Sequence, residues 1–298
     1  MSKWLKSSEC ILFSVVEKVA TITLNRPDKR NAISQVLLRE FHEAMLEADD
    51  LVDVNVIVLE GAGRDFCAGF DLAGIYAGRS DEDSVKEPAR YRSLIGNFDD
   101  DCFQMERQQE KLRIAFDVHK PVIAKVQGNC LAGGTDLALN CDMVIASDDA
   151  RIGFPATRAN GMPLNHLWFY LVGPQWAKRL LLSGDCVSGR DAAKIGLVLD
   201  SVPVDDLDAT VAETARRLAC IDSELLSANK RIVNLGMELA GARTLQRLDA
   251  EMDARAHLSQ GPRRSRFKSD MANHGLKTAL TQRDEPFGDG MVRVRRGS

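Results

Sequence analysis

The chain has 298 residues, 45% hydrophobic and 28% charged, enough for one large core or a core with an appendage. Its formal net charge of −4 gives no global attraction to nucleic acid or anionic membrane, and no clustered lysine face appears. Seven cysteines, at 10, 67, 102, 130, 141, 186 and 220, form neither a CxxC pair nor an even set. That usage points to a reducing cytoplasm and away from a disulfide scaffold or a metal centre. The N-terminus lacks the apolar run of a signal peptide, and no window approaches the roughly eighteen apolar residues of a membrane span.

Residues 10–24 predict a hairpin, Cys10 to Val16 and Val19 to Leu24 around a Glu17-Lys18 turn. A polar loop, 25–31, precedes a helix expected to start at the N-cap candidate Ser34, with Val36, Leu37, Phe41, Met45 and Leu46 on its apolar side. Strand (56–60), glycine turn (61–69), helix, strand (122–127), turn, helix (134–140) and strand (143–147) follow. Such alternation predicts an α/β fold with largely parallel pairing. Residues 76–101, with two acidic runs, read as a surface insertion, and 102–117 as a helix. From Pro174 helices dominate: 175–183, 189–195, 206–220, 223–238, 242–257 and 263–280. The expected organisation is an α/β core over 1–205, a helical region over 206–285 and a disordered tail over 286–298.

Two short segments carry the chemistry, Phe66-Cys67-Ala68-Gly69-Phe70-Asp71 and Leu131-Ala132-Gly133-Gly134-Thr135-Asp136. Each follows an apolar β-branched run and precedes a helical stretch. Strand, glycine turn, helix leaves backbone N–H groups unpaired and aimed at a ligand. Two such turns can aim two N–H groups at one oxygen, as an oxyanion hole does. The bland alternative is tight packing at two strand-helix corners.

With these landmarks placed, the chain resembles the crotonase superfamily, the enoyl-CoA hydratase/isomerase proteins, over roughly residues 10–283. The carriers are Thr23–Ala32, Asp65–Leu72, Lys120–Gly128, the Gly133–Leu139 helix start, Cys141-Asp142 and Leu182-Ser183-Gly184. The resemblance implies a spiral of ββα units with a C-terminal helical trimerisation region, as a homotrimer or a dimer of trimers. It also implies an acyl-CoA thioester substrate, an enolate intermediate and no separate cofactor, CoA being part of the substrate. Carried over position by position, the two oxyanion donors fall on the amides of Ala68 and Gly133.

The family's hydratases resemble one another in holding a water between two glutamates. The first position here is Asp136, one methylene shorter, and the second is Ala156, which cannot carry a proton. A misplacement of about 1 Å costs on the order of a hundredfold where geometry limits the rate, which puts ordinary two-glutamate hydration in doubt. Asp136 is a candidate general acid or base, or a carboxylate that merely favours a helix dipole; burial would raise its pKa and the dipole lower it. The loop 156–166 replaces the missing glutamate's surroundings, with Ala156 and Leu164 expected to line the acyl end. Its His166 is a candidate proton carrier or a packing residue. Arg158 is a candidate partner of a substrate carboxylate or of Asp136, or a structural residue. Arg26, Lys29 and Arg30 suit CoA phosphates or simply form a solvated loop. Ala32, Phe70, Asp71 and Leu72 complete the expected CoA contacts, Phe70 against adenine or pantetheine. The readings left open are a hydratase/isomerase, a family member with other CoA-thioester chemistry, and a silent acyl-CoA binder.

Overall fold

In the computed structural model, which describes residues 2–77 and 97–295, strands β1 (Ile11–Val16) and β2 (Val19–Leu24) pair antiparallel. Glu17 and Lys18 both take positive φ, 49° and 66°, the twist-compatible conformation of a two-residue hairpin. Helix α1 (Gln35–Asp50) starts as expected: the Ser34 hydroxyl accepts the Leu37 N–H at 3.1 Å. Parallel strands β3 (Val56–Gly61), β4 (Val122–Val126), β6 (Met143–Ser147) and β9 (Asp200–Val202) extend the sheet to the order β1-β2-β3-β4-β6-β9.

The central strands β3, β4 and β6 of that sheet are covered on both faces and read as near-continuous apolar runs. Ile57 and Leu59 point into the larger core with Leu37, Phe41 and Met45 of α1. Their neighbours Val56 and Val58 face the other way, onto Leu207, Val211, Ala215 and Ala219 of helix α8 (Val204–Ala219). Helix α8 therefore belongs to the layered core, although a boundary near 205 assigned it to a separate helical region.

A second sheet, β10-β8-β7-β5, joins β5 (Asn129–Leu131), β7 (Arg151–Gly153), β8 (Cys186–Ser188) and β10 (Met291–Val292). The last strand corrects the expected disordered tail: Met291 and Val292 pair in parallel with Cys186 and Val187, and Val292 is buried. Most of the expected insertion lies outside the described residues. Its end does not: Asn97 caps helix α3 (Phe98–Leu112), so Asp99, Asp100 and Asp101 form the favourable acidic first turn of a helix.

The remaining helices are α2 (Leu72–Ala77), α4 (Ile114–Asp117), α5 (Gly133–Ala138), α6 (Leu167–Ser183) and α7 (Gly189–Ile195). After α8 come α9 (Ser223–Leu239), α10 (Ala242–His257) and α11 (Pro262–Asp284). Helix α6 is broken at Gly173 (φ 72°, ψ 170°) just before Pro174, so the expected helix over 175–183 is its second part, preceded by a shorter helical segment from Leu167. Helix α9 is anchored by Lys230, whose buried ammonium lies 2.8 Å from Asp142 and donates to the carbonyls of Ala115 and Lys120.

Candidate active site

The first glycine corner is threaded between two neighbours. Cys67 forms a parallel bridge with Cys130, through Cys67 N–H to the Asn129 carbonyl and Leu131 N–H to the Cys67 carbonyl, each 2.9 Å. Phe70 bridges Ile33 on the opposite edge, where Ile33 N–H donates to Gly69 and Asp71 N–H to Ile33. In that pattern the N–H of Phe70 itself points away from Ile33, toward the Leu131–Gly133 corner. Among the described residues it meets no acceptor, and neither does the N–H of Gly133 in the first turn of α5.

Ala68 does not fill the role expected of it. Its N–H donates to the Arg30 carbonyl at 2.9 Å, which closes the loop 26–31 onto the corner. The unpaired amide on this side belongs to Phe70, two residues on. The Phe70 ring packs on Gly133; its main chain carries the further signal, a place between Gly69 and Asp71, whose carbonyl and amide are both already paired with Ile33.

The glycines on either side allow the two corners to touch. A Cβ on Gly69, at φ 96°, would lie 2.9 Å from the Leu131 carbonyl and 3.2 Å from the Gly133 nitrogen. One on Gly134 would lie 2.4 Å from the Cys67 carbonyl oxygen. Close approach is what these two glycines supply. Ala132, between them, is strained at φ 49° and ψ −123°. The Cys67 thiol is pushed up to about 12 by burial and is a packing group, not a nucleophile. Asn31 locks the surrounding loops: its side chain accepts the Arg26 N–H and donates to the Ala62 and Asp65 carbonyls.

Asp136, in the first turn of α5, is buried, and among the described residues neither carboxyl oxygen has a hydrogen-bond partner. Burial dominates its titration and holds its pKa well above the ordinary value. The nearby charges of Asp253 and Asp249 push the same way, while the amides of Leu164 and Asn165, close but not in hydrogen-bonding geometry, oppose them. The contest between burial and the helix dipole therefore goes to burial, and the neutral acid is the favoured form.

The residues beside Asp136 come from the loop after the 3-10 turn Pro155–Arg158 and from α10. Leu164 is buried and its carbonyl accepts Gln109 Nε2 at 2.7 Å; Ala156 is half-buried in the turn. His166 precedes α6, with Nδ1 2.8 Å from Asp249 Oδ1, an ion-pair contact off line for a hydrogen bond. Asp249 and Asp253, four residues apart on the buried side of α10, both have pKa values raised by burial. Neither was legible beforehand, since an acid on an amphipathic helix reads as solvated.

Arg158 belongs elsewhere. Its buried guanidinium holds Asp185 at 2.8 Å, Asp284 at 3.1 Å and the Ser183 carbonyl at 3.0 Å, and it stacks 4.0 Å from the Phe287 ring centroid. Among the described residues, its hydrogen-bond and ion-pair partners are these, and Asp136 is not one of them. Arg26 is likewise engaged, with Asp71 at 2.9 Å and the Ala32 carbonyl, so the expected phosphate contact there becomes a brace between the loop and the first corner. Lys29 and Arg30 are exposed on that loop, and half-buried Leu72 packs toward Phe267 and Ala279 of α11. Among the described residues, no group of three or more His, Cys, Asp or Glu side chains is placed to hold a metal ion, and no helix is long and apolar enough to cross a membrane.

Comparison with known proteins agrees with this architecture. Residues 15–264 match the family model described as enoyl-CoA hydratase/isomerase. A crotonyl-CoA hydratase from Syntrophomonas wolfei is 30% identical over 234 residues, covering 77% of this chain and 83% of its own. A crystal structure of an enoyl-CoA hydratase from Mycobacterium smegmatis superposes with a TM-score of 0.85 at 35% identity, covering 96% of this chain and 97% of that one. An enoyl-CoA hydratase/isomerase from Xanthobacter autotrophicus Py2 gives 0.84 at 33% identity, over 94% and 99%.

Proposed function

The chain belongs to the enoyl-CoA hydratase/isomerase family, and from that premise we propose that it stabilises an acyl-CoA enolate between the Phe70 and Gly133 amides while Asp136 carries a proton. One observation carries the reading: a buried carboxyl with both oxygens unpartnered lies on the helix whose first amide, Gly133, also lacks an acceptor. Buried polar groups are normally satisfied, so orphans gathered at one corner mark where a ligand belongs. Negative charge developing on the thioester oxygen would meet two preorganised donors, each worth about 2.7–4 kcal/mol by analogy with other oxyanion holes. Lys29 and Arg30 stand exposed beside this corner for the CoA phosphates.

The test is a panel of enoyl- and acyl-CoA esters assayed for water addition, double-bond migration and deuterium uptake at Cα. Any one of the three at a rate that falls at least a hundredfold in Asp136→Asn supports the reading. Absence of all three sinks it.

A second reading, a silent acyl-CoA binder, draws on Ala156, which leaves the loop without the family's second carboxylate. It predicts micromolar acyl-CoA binding that is unchanged in Asp136→Ala, with no turnover in either protein.

The proposed assembly is a homotrimer or a dimer of trimers in the cytoplasm. Leu225, Ile232, Val233, Leu235 and Leu239 of α9 are exposed, a larger apolar set than one amphipathic helix leaves in water without a partner. Light scattering of the purified protein decides this: a monomer would rule the assembly out.

A further inference from the structure

The loop after Pro155–Arg158 is pinned to α10 by two carboxylates one helical turn apart. Asp253 Oδ1 accepts the Met162 N–H at 2.8 Å, and Asp249 Oδ2 accepts the His166 N–H at 3.0 Å. The second oxygen of Asp249 faces His166 Nδ1 at 2.8 Å. The Asp249 side chain is 4% exposed and that of His166 22%. Between the two pins, the main chain of Leu164 and Asn165 runs beside the Asp136 carboxyl. Asn165 is buried and among the described residues its Nδ2 has no acceptor, so a second orphan polar group lies in the same loop as His166. A buried aspartate set against an imidazole nitrogen is how general bases are oriented elsewhere.

We propose that His166, oriented by Asp249, is the base of this site and Asp136 its acid, together replacing the glutamate pair that Ala156 breaks. The inference rests on the enolate reading above. In water addition, His166 Nε2 takes a proton from water as the water oxygen bonds to Cβ. The double-bond electron pair moves into the thioester enolate, and Asp136 gives its proton to Cα. The proton left on His166 returns through solvent to the Asp136 carboxylate, which restores both groups. The environments of acid and base differ in the required sense: one carboxyl wholly buried and unpaired, one imidazole partly open. The other charged groups around them are Asp253 with its partner His257 on α10, Asp101 of α3 and Arg264 of α11.

The test compares wild type, His166→Gln, Asp249→Asn and Asp136→Asn on two reactions, hydration of crotonyl-CoA and deuterium exchange at Cα of butyryl-CoA. Exchange needs the ionised fraction of Asp136 and the amides but no activated water. His166→Gln is expected to lose hydration by about 10²–10³-fold while exchange stays within about threefold of wild type. Asp249→Asn keeps an acceptor for the His166 N–H; kcat for hydration should fall roughly tenfold with KM little changed, and the acid limb of the kcat/KM profile should move. Asp136→Asn should lose both reactions. If His166→Gln fails to fold, Asp249→Asn decides alone. Hydration and pH profile unchanged in both variants, or a wild type that exchanges without hydrating, overturns the proposal and leaves the enolate reading standing. A wild type that does neither overturns both.

Discussion

The two sides of the site are built by different means. The proposed donor side is made by two short segments, one after β3 (Val56–Gly61) and one after β5 (Asn129–Leu131), which meet through the bared backbones of Gly69 and Gly134. The acid side is assembled from Asp136, the loop 162–166 and Asp249 and Asp253, which lie more than eighty positions further along the chain. Local strand-turn-helix geometry dictates the first. Only the packing of α10 on α3 and on that loop creates the second. An amide can be aimed by its own neighbours in sequence, whereas moving the pKa of a carboxyl takes tertiary burial.

The largest effect should come from removing the acid. Asp136→Asn is expected to lower turnover of CoA esters by about 10²–10⁴-fold, the usual worth of a positioned proton carrier. It should also change how stability depends on pH. The folded pKa of Asp136 is raised, so the native state holds this proton more tightly than the unfolded chain does. Stability contributed by the neutral form is then full below the unfolded value, about 3.9, and is lost as pH climbs through the folded value. Denaturant unfolding from pH 4 to 8 should show wild-type stability declining along this rise and the variant declining less. Asp249 and Asp253 titrate in the same sense and keep part of the slope. A variant with the same slope as wild type would mean that Asp136 is not the strained acid.

On the donor side, Gly134→Ala tests whether close approach matters as much as charge. The added methyl would sit 2.4 Å from a main-chain oxygen that cannot rotate away, so the corners must part. The expected cost is about 3 kcal/mol in stability, at the upper end for overpacking, with enolate-dependent exchange reduced about a hundredfold. Thermal unfolding and the exchange assay read the two effects separately. Activity retained at wild-type level would show that the spacing of the corners is not critical.

Arg158 marks the outer limit of the acid side. Arg158→Ala removes a guanidinium that holds Asp185 and Asp284 while covering Phe287, and should cost about 2–3 kcal/mol, discounted because Asp284 is partly in water. KM for acyl-CoA should stay within about twofold of wild type, since no substrate contact is lost. A selective rise in KM without loss of stability would return Arg158 to the binding site.

How much of this was legible follows the same division. The hairpin, the Ser34 cap, the parallel strands and both glycine corners were readable because periodicity, turn chemistry and caps act within a few residues. The positions of Gly133 and Asp136 in the first turn of a helix were readable for the same reason. Ala68 was misplaced because a strand residue's amide direction depends on which neighbour pairs with which edge, and Ile33 supplies that edge from outside the motif. Arg26 and Arg158 looked available because their partners, Asp71, Asp185 and Asp284, are distant in sequence. The acids of α10 looked solvated, since their burial against α3 and the loop leaves no trace in spacing. Strand β10 escaped notice because two residues are too few for any periodicity.

The smallest effect isolates strain from chemistry. Ala132 stands at φ 49° and ψ −123°, the first central position of a type II′ turn, where glycine is the residue of choice. Its carbonyl accepts both the amide at 2.8 Å and the hydroxyl at 2.7 Å of Thr135, and its own N–H donates to Gly153 at 2.9 Å, so the conformation is held from three sides. Ala132→Gly removes a Cβ that opposes this backbone but also frees the unfolded chain, and the two effects differ in sign. Strain of about 1–3 kcal/mol outweighs the entropic loss of about 0.4–1 kcal/mol, so a net gain of about 1 kcal/mol is expected in denaturant unfolding. The turnover of the variant then separates two meanings of the strain. If the strained alanine only accompanies the corner, exchange at Cα is unchanged in the stabilised protein. If the rigidity of Ala132 is what keeps the Gly133 amide aimed, the gain in stability comes with a fall in kcat of a few fold, and the donor side carries a stability cost that local sequence alone would never have imposed.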